Sequence, residues 1–169
     1  LETGKRSPST IVYDGGSWTF GDHTFRSHGD GGLGPVDMHR SIVKSSNVYY
    51  YSLANDLGVD AIHDFMKPLG FGQLTGIDIQ GEVRGVLPSQ AWKRRTYKRP
   101  EQQKWYAGET ISLGIGQGYN TFTMLQLASA TGTLARAHAS PPCATRPSLI
   151  RRCTCDRDSP ATSAVSAWS

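Results

Sequence analysis

The chain has 169 residues, 37% of them hydrophobic, with 19 Gly and 9 Pro; that suffices for one turn-rich domain with a core and is too little for two. No run of about 18 apolar residues occurs, so no segment reads as a membrane-spanning helix. The net charge of +4 is unevenly spread: residues 1–135 carry 13 Lys+Arg against 12 Asp+Glu, and residues 136–169 carry 5 Arg and 2 Asp. That last stretch also holds all three cysteines, Cys143, Cys153 and Cys155, so the near-neutral body gives no signal about its redox compartment. Leu1 is not an initiator methionine and no leader is visible, so the sequence reads as a piece of something longer.

Residues 1–10 read as the end of a helix broken at Gly4, with Lys5 and Arg6 near its C-terminus and Pro8 beyond. Ile11-Val12-Tyr13 is a short strand stopped by Asp14-Gly15-Gly16, and residues 18–25 form a second strand or hairpin arm turning at Gly21-Asp22. Residues 27–35 are a glycine-rich loop. This region gathers Asp14, Asp22, His23, His28, Asp30, Asp37 and His39, which are metal-ligating types. With no HxH, HExxH or CxxC spacing, polar loop residues are the expectation and no metal site is assigned.

Residues 36–57 are helical by period, with Val43, Tyr50, Leu53 and Leu57 on one face and Gly58 as the stop. Ser45-Ser46-Asn47 places a kink or a break inside them. Val59, Ile62, Phe65, Met66 and Leu69 mark a second helix ended by Gly70. Residues 71–87 are loop-like, with Ile77-Asp78-Ile79 as a short strand. Residues 91–106 concentrate Lys93, Arg94, Arg95, Lys98, Arg99 and Lys104 among Trp92, Tyr97, Trp105 and Tyr106, the ingredients of a single-stranded nucleic-acid groove. The near-neutral body lacks the broad positive field that phosphate binding needs, so no nucleic acid is expected, and the stretch reads as a solvated loop anchored by its aromatics.

Residues 111–135, ISLGIGQGYNTFTMLQLASATGTLA, organise the rest. An apolar run with Gly114, Gly116 and Gly118 leads into a helix capped by Thr121 or Thr123, whose apolar face is Met124, Leu125, Leu127, Ala128, Thr131 and Leu134. Two readings stay open: a glycine turn that lets backbone approach a ligand, or a plain strand-to-helix connection.

The succession of SSN, an aromatic helix VYYYSLANDLG, FGQLTGIDIQGEVRGVLP and GIGQGYNTFTMLQLASATGTLA resembles the transpeptidase domain of class B penicillin-binding proteins, in their cell-elongation branch. The likeness covers residues 1–135. It implies an α+β fold: a partial penicillin-binding/serine β-lactamase-like transpeptidase domain, mainly its helical half; residues 136–169, rich in Arg, Ser, Ala, Pro and Cys with no apolar period, read as an unrelated, disordered C-terminal tail. It also implies serine acyl transfer on a D-Ala-D-Ala peptide or a β-lactam. Ser45 and Asn47 would be the Ser and Asn of the family's S-x-N motif: the serine relays protons, for which a hydroxyl is suited because it both donates and accepts, and the asparagine amide holds the substrate carbonyl. Gly116, Gln117 and Gly118 would line the substrate side.

No KTG occurs, and the family's nucleophile S-x-x-K would precede Leu1. The internal Ser41-Ile42-Val43-Lys44 matches S-x-x-K by letter, but it runs straight into Ser45, whereas the family brings these motifs together from separate elements. It is rejected as the nucleophile, and the chain alone is expected to be inactive. Some members hold zinc near the equivalent of Asp14 with a cysteine close to S-x-N; Ser45 and Ser46 offer no thiol, so neither metal nor cofactor is expected. The implied partners are peptidoglycan stem peptides, β-lactams and elongation-machinery proteins, at the periplasmic face of an inner membrane in which the parent is anchored. From Arg136 the likeness stops inside a helix, as it would after a frameshift. A serine β-lactamase or D,D-carboxypeptidase fragment, or a non-enzymatic basic binding module, is the alternative.

Overall fold

Short β-branched and aromatic runs punctuated by glycine turns make the first part of the chain strand-rich. In the computed structural model, which describes residues 1–27 and 31–139, β1 (Val12–Asp14) pairs antiparallel with β4 (Gly34–Val36), Val12 opposite Val36. Between them β2 (Ser17–Phe20) and β3 (His23–Arg26) form a hairpin that turns at Gly21-Asp22. Residues 1–10 are turns, not the end of a helix.

Helices follow. Asp37 caps α1 (Met38–Val43) by accepting the Arg40 N–H at 2.7 Å. After a break at residues 44–46, α2 (Asn47–Leu57) runs to Gly58, and α3 (Val59–Met66) ends through a 3₁₀ turn at Gly70. The stops at Gly58 and Gly70 are those the sequence predicts. The face predicted for the first helical region is misplaced: Val48, Tyr49, Tyr51 and Ala54 are buried, whereas Val43 is exposed. The break at Ser45 resets the helical phase, so Val43 and Tyr50 do not share a face.

Residues 71–87 contain no strand at Ile77-Asp78-Ile79. The Glu82 carboxylate instead latches this loop, accepting the Thr75 N–H and hydroxyl, each at 2.6 Å. The basic stretch is helical: α4 (Gln90–Thr96), capped by Ser89, and α5 (Pro100–Gln103). Then come α6 (Ala107–Gly114) and α7 (Met124–Ala139). The apolar run at 111 is therefore helix, and the glycine turn joins two helices where a strand-to-helix turn was an expectation. Thr123 is the cap, its Oγ1 accepting the Gln126 N–H at 3.1 Å. The helix continues past position 136 to Ala139; residues 140–169, with the predicted tail and its cysteines, lie outside the described residues, as do His28 and Asp30.

The core has two parts. Val36, Val48, Tyr49, Tyr51, Ala54, Val59, Ile111 and Leu113 are buried, with α6 lying on α2. A Cβ on Gly114 would stand 2.6 Å from both Ala54 Cβ and the Tyr50 carbonyl, so only glycine permits this approach. The second part packs Phe71 and Leu87 against Ala130 of α7, with the Phe71 and Phe122 rings 4.6 Å apart. Gln126 is buried there: its Nε2 donates to the Gln73 and Arg84 carbonyls at 2.6 and 2.7 Å, and its Oε1 accepts the Thr123 N–H at 3.1 Å. One side chain thus joins the start of α7 to both ends of the latched loop.

Lys93, expected in a solvated loop, is only 3% exposed. Its Nζ donates to the Lys104 carbonyl at 2.8 Å and pairs with Glu109. It sits 5.4 Å from the Trp105 ring centroid and 5.5 Å from those of Tyr106 and Tyr119. A buried charge needs such partners, because desolvation of an unpaired ammonium is costly. Burial pushes the Glu109 carboxyl up, but hydrogen bonds from Lys93, the Tyr106 N–H and Tyr119, with the Lys93 charge, outweigh it and hold the group below the usual value.

Two outcomes follow from these contacts. Gln126→Leu leaves two carbonyls and a helix-start N–H without their partner and lowers unfolding free energy by about 2 kcal/mol, measured by urea denaturation. A depressed folded-state pKa adds stability that is present above the unfolded value and lost as pH falls through the folded one. The thermal midpoint should therefore drop as pH falls below the ordinary carboxyl value of 4.5, and the pair Lys93→Met with Glu109→Gln should reduce that drop. Parallel profiles for the two proteins contradict the assignment.

Candidate functional site

The S-x-N residues sit where α1 ends and α2 begins. The Ser46 N–H reaches the Ser41 carbonyl at 2.9 Å and the Ser45 N–H reaches Ile42 at 3.2 Å. Those two bonds are the Schellman closure of a helix, with Ser45 in the left-handed position usually held by glycine. Its φ is +53°, and among the described residues Ser45 alone has a positive φ without being glycine. A serine there carries about 1–2 kcal/mol of steric cost. Ser45 is exposed, and Asn47, the first residue of α2, is half-buried.

Ser46 between them is buried and structural. Its Oγ accepts the Tyr49 N–H at 3.3 Å as the cap of α2 and donates to Asp14 Oδ2 at 2.5 Å. Asp14, also buried, accepts the Gly16 N–H on Oδ1 at 2.8 Å. Both of its oxygens are engaged, and among the described residues no three of His, Cys, Asp and Glu converge. Ser41, the literal S-x-x-K serine, is fully buried and donates to the Met38 carbonyl at 2.7 Å, with the Tyr50 hydroxyl 3.3 Å away, closed to any substrate.

The glycine bend repeats the geometry of the S-x-N junction. At the end of α6 the Gln117 N–H bonds the Ser112 carbonyl at 3.1 Å and the Gly116 N–H bonds Leu113 at 2.9 Å. Gly116 and Gly118 have φ of +77° and +74°, and Gly116, Gln117 and Gly118 are exposed. Because Gly114 lies against Tyr50 and Ala54, the bend is carried by the same helix pair as Asn47, and Tyr50 is one turn beyond that asparagine.

Beside the bend lies a groove of about 770 Å³ between the β2–β3 hairpin and α6, walled by Phe20, Phe25, Tyr106 and Tyr119 with Glu109 and Gly118. Its lining includes neither Ser45 nor Asn47. The aromatics of the basic stretch pack inward: Trp92 lies on Tyr119 at 5.3 Å and Trp105 on Tyr119 at 5.9 Å. Sequence reasoning missed Asp14–Ser46 and Lys93–Glu109. A signal for the second was present, since Glu109 stands three residues after Tyr106 and its Oε2 accepts the Tyr106 N–H at 2.9 Å, as in a capping box.

The chain is 43% identical over 130 residues to the peptidoglycan D,D-transpeptidase MrdA of Haemophilus influenzae, which covers 76% of this chain and 19% of that protein. It superposes on the crystal structure of Pseudomonas aeruginosa PBP2 in complex with WCK 5153 with a TM-score of 0.74 at 37% identity, covering 87% of this chain and 34% of that one. For Helicobacter pylori PBP2 in its complex with MreC the TM-score is 0.72 at 28% identity, covering 79% and 24%. The chain thus spans about a fifth of the length of its curated relatives. The penicillin binding protein transpeptidase domain matches residues 1–145, and the chain belongs to that family.

Proposed function

We propose that this chain forms the S-x-N side of the cleft in an elongation-type peptidoglycan D,D-transpeptidase, with Ser45 and Asn47 as its catalytic contribution and Gly116, Gln117 and Gly118 on the substrate side. One observation carries the reading. Ser45 occupies a left-handed helix-end position that glycine would fill at lower cost, and it leaves its hydroxyl exposed. Strain held by an exposed polar residue marks a site where the side chain is needed. The family membership and the likeness to MrdA support the same reading, whereas the packed aromatics around Lys93 argue against a basic binding module.

In the proposed reaction a serine of an S-x-x-K motif outside these residues attacks the carbonyl of a D-Ala-D-Ala stem peptide or of a β-lactam. The carbonyl carbon–nitrogen bond breaks as the ester forms. Ser45 passes the proton lost by the attacking hydroxyl to the departing nitrogen, since a hydroxyl donates and accepts at once. The Asn47 amide, fixed at the first turn of α2, holds the substrate carbonyl. Stem peptides, β-lactams and elongation-machinery proteins are the proposed partners, and the periplasmic face of the inner membrane is the proposed location. Among the described residues no helix is long and apolar enough to cross a membrane.

The test is Ser45→Gly in the full-length protein. It should raise unfolding free energy by roughly 0.5–1 kcal/mol, because glycine relieves the left-handed strain, and slow labelling by a fluorescent penicillin at least about a hundredfold. A variant that labels at the wild-type rate removes Ser45 from the chemistry. The 169-residue chain alone, whose S-x-x-K serine is buried, should show no acyl adduct by mass spectrometry after incubation with a penicillin.

A further inference from the structure

The Gly116–Gly118 bend is exposed and glycine-rich, yet it is held at both flanks. On one side Gly116 and Gln117 bond back to the last turn of α6. On the other the Tyr119 hydroxyl donates to Glu109 Oε1 at 2.9 Å, and Asn120 Nδ2 donates to the Leu113 carbonyl at 3.3 Å. Glu109 lies in the first turn of α6, so the bend and the whole of that helix are tied into one unit. Lys93 fixes Glu109 from α4. Burial and the Glu109 carboxylate raise the Tyr119 phenol well above its ordinary value, so it stays a donor across the physiological range.

The arrangement is expensive for what it adds in stability. A Lys–Glu pair whose lysine is buried and whose carboxylate is half-buried contributes little net free energy, and apolar residues of similar volume often serve as well. Its distinctive product is geometry: the carboxylate takes three donors, from Lys93, Tyr119 and the Tyr106 N–H, in fixed directions. The Tyr119 ring packs on Trp92 and Trp105, contacts that do not involve its hydroxyl.

We propose that Tyr119 is a positioning residue for the proposed acyl transfer, and that the Lys93–Glu109 pair acts through it to hold the Gly116–Gly118 bend at the distance from α2 that substrate binding requires. This rests on the reading of that bend as the substrate side of a transpeptidase cleft.

The experiment uses the full-length protein and stopped-flow acylation by a fluorescent penicillin over a range of concentrations, which separates the dissociation constant of the pre-acylation complex from the acylation rate. Tyr119→Phe keeps the ring and loses only the hydroxyl; it should raise that dissociation constant about tenfold, with the labelled fraction at saturation and the thermal midpoint close to wild type. Lys93→Met with Glu109→Gln, which keeps the volume and loses the charges, should raise it likewise. Glu82→Ala, which unlatches a different loop, should leave the constants unchanged. If Tyr119→Phe leaves both constants at their wild-type values, or lowers only the labelled fraction and the melting temperature, the role is structural and the proposal fails. A wild type that takes no label overturns the transpeptidase reading itself, and the positioning role with it.

Discussion

The hydrogen bond between Ser46 and Asp14 is the constraint on which the candidate site depends. Both residues are buried, 0% and 1% exposed, and each has a second task in its own element. Ser46 caps α2, and Asp14 closes the turn after β1 through Gly16. The start of α2 is therefore not free to drift from the β1–β4 pair. Asn47 follows on that start and Ser45 precedes it, so the middle residue of S-x-N fixes the outer two. A buried carboxylate that lost the serine donor would be left partly unsatisfied, which is the costly case for a buried polar group.

The two candidate segments are built by one device, used with different residues. Both follow a Schellman closure at a helix end, after α1 and after α6. At the second, glycine takes the left-handed position, as backbone sterics favour. At the first, serine takes it and is strained. Since the same chain shows the cheaper solution at Gly116, the serine is not explained by the turn's own demands. The Lys93–Glu109 pair belongs to the same pattern of stability spent on placement. Natural sequences sit above a stability threshold and carry such costs where function needs a group in one place.

Much of this was legible in the sequence because it is local. The β2–β3 hairpin, the helix stops at Gly58 and Gly70, the break at Ser45-Ser46-Asn47 and the Thr123 cap each depend on residues a few positions apart. Family likeness supplied what local pattern lacks, namely the family to which the chain belongs. What failed was tertiary. The inward turn of Lys93 depends on Glu109, which lies sixteen residues on, and on the rings of Trp105, Tyr106 and Tyr119, none of which a charge count can anticipate. Ile77-Asp78-Ile79 alternates as a strand should, but the loop latched by Glu82 and Gln126 gives it no strand to pair with. Alternation without a partner does not make a strand. Asp14 drew notice as a turn residue and as a metal-ligating type; its bond to Ser46 spans thirty-two residues and has no spacing signature.

Helix α7 separates the two kinds of information most clearly. Its apolar stripe is a sound helical pattern, and the helix is there. Yet Met124, Leu125, Leu127 and Leu134 are exposed, Met124 by 80%, while the buried positions are Gln126 and Ala130. An amphipathic period reports that a helix has something to bury against; it does not say that the partner lies within the same stretch of chain. Here the described residues cover the Gln126–Ala130 side through Phe71, Leu87 and the carbonyls of Gln73 and Arg84, and leave the stripe open. Burial at Gln126 and Ala130, and not the apolar period, therefore shows which side of α7 the described residues cover.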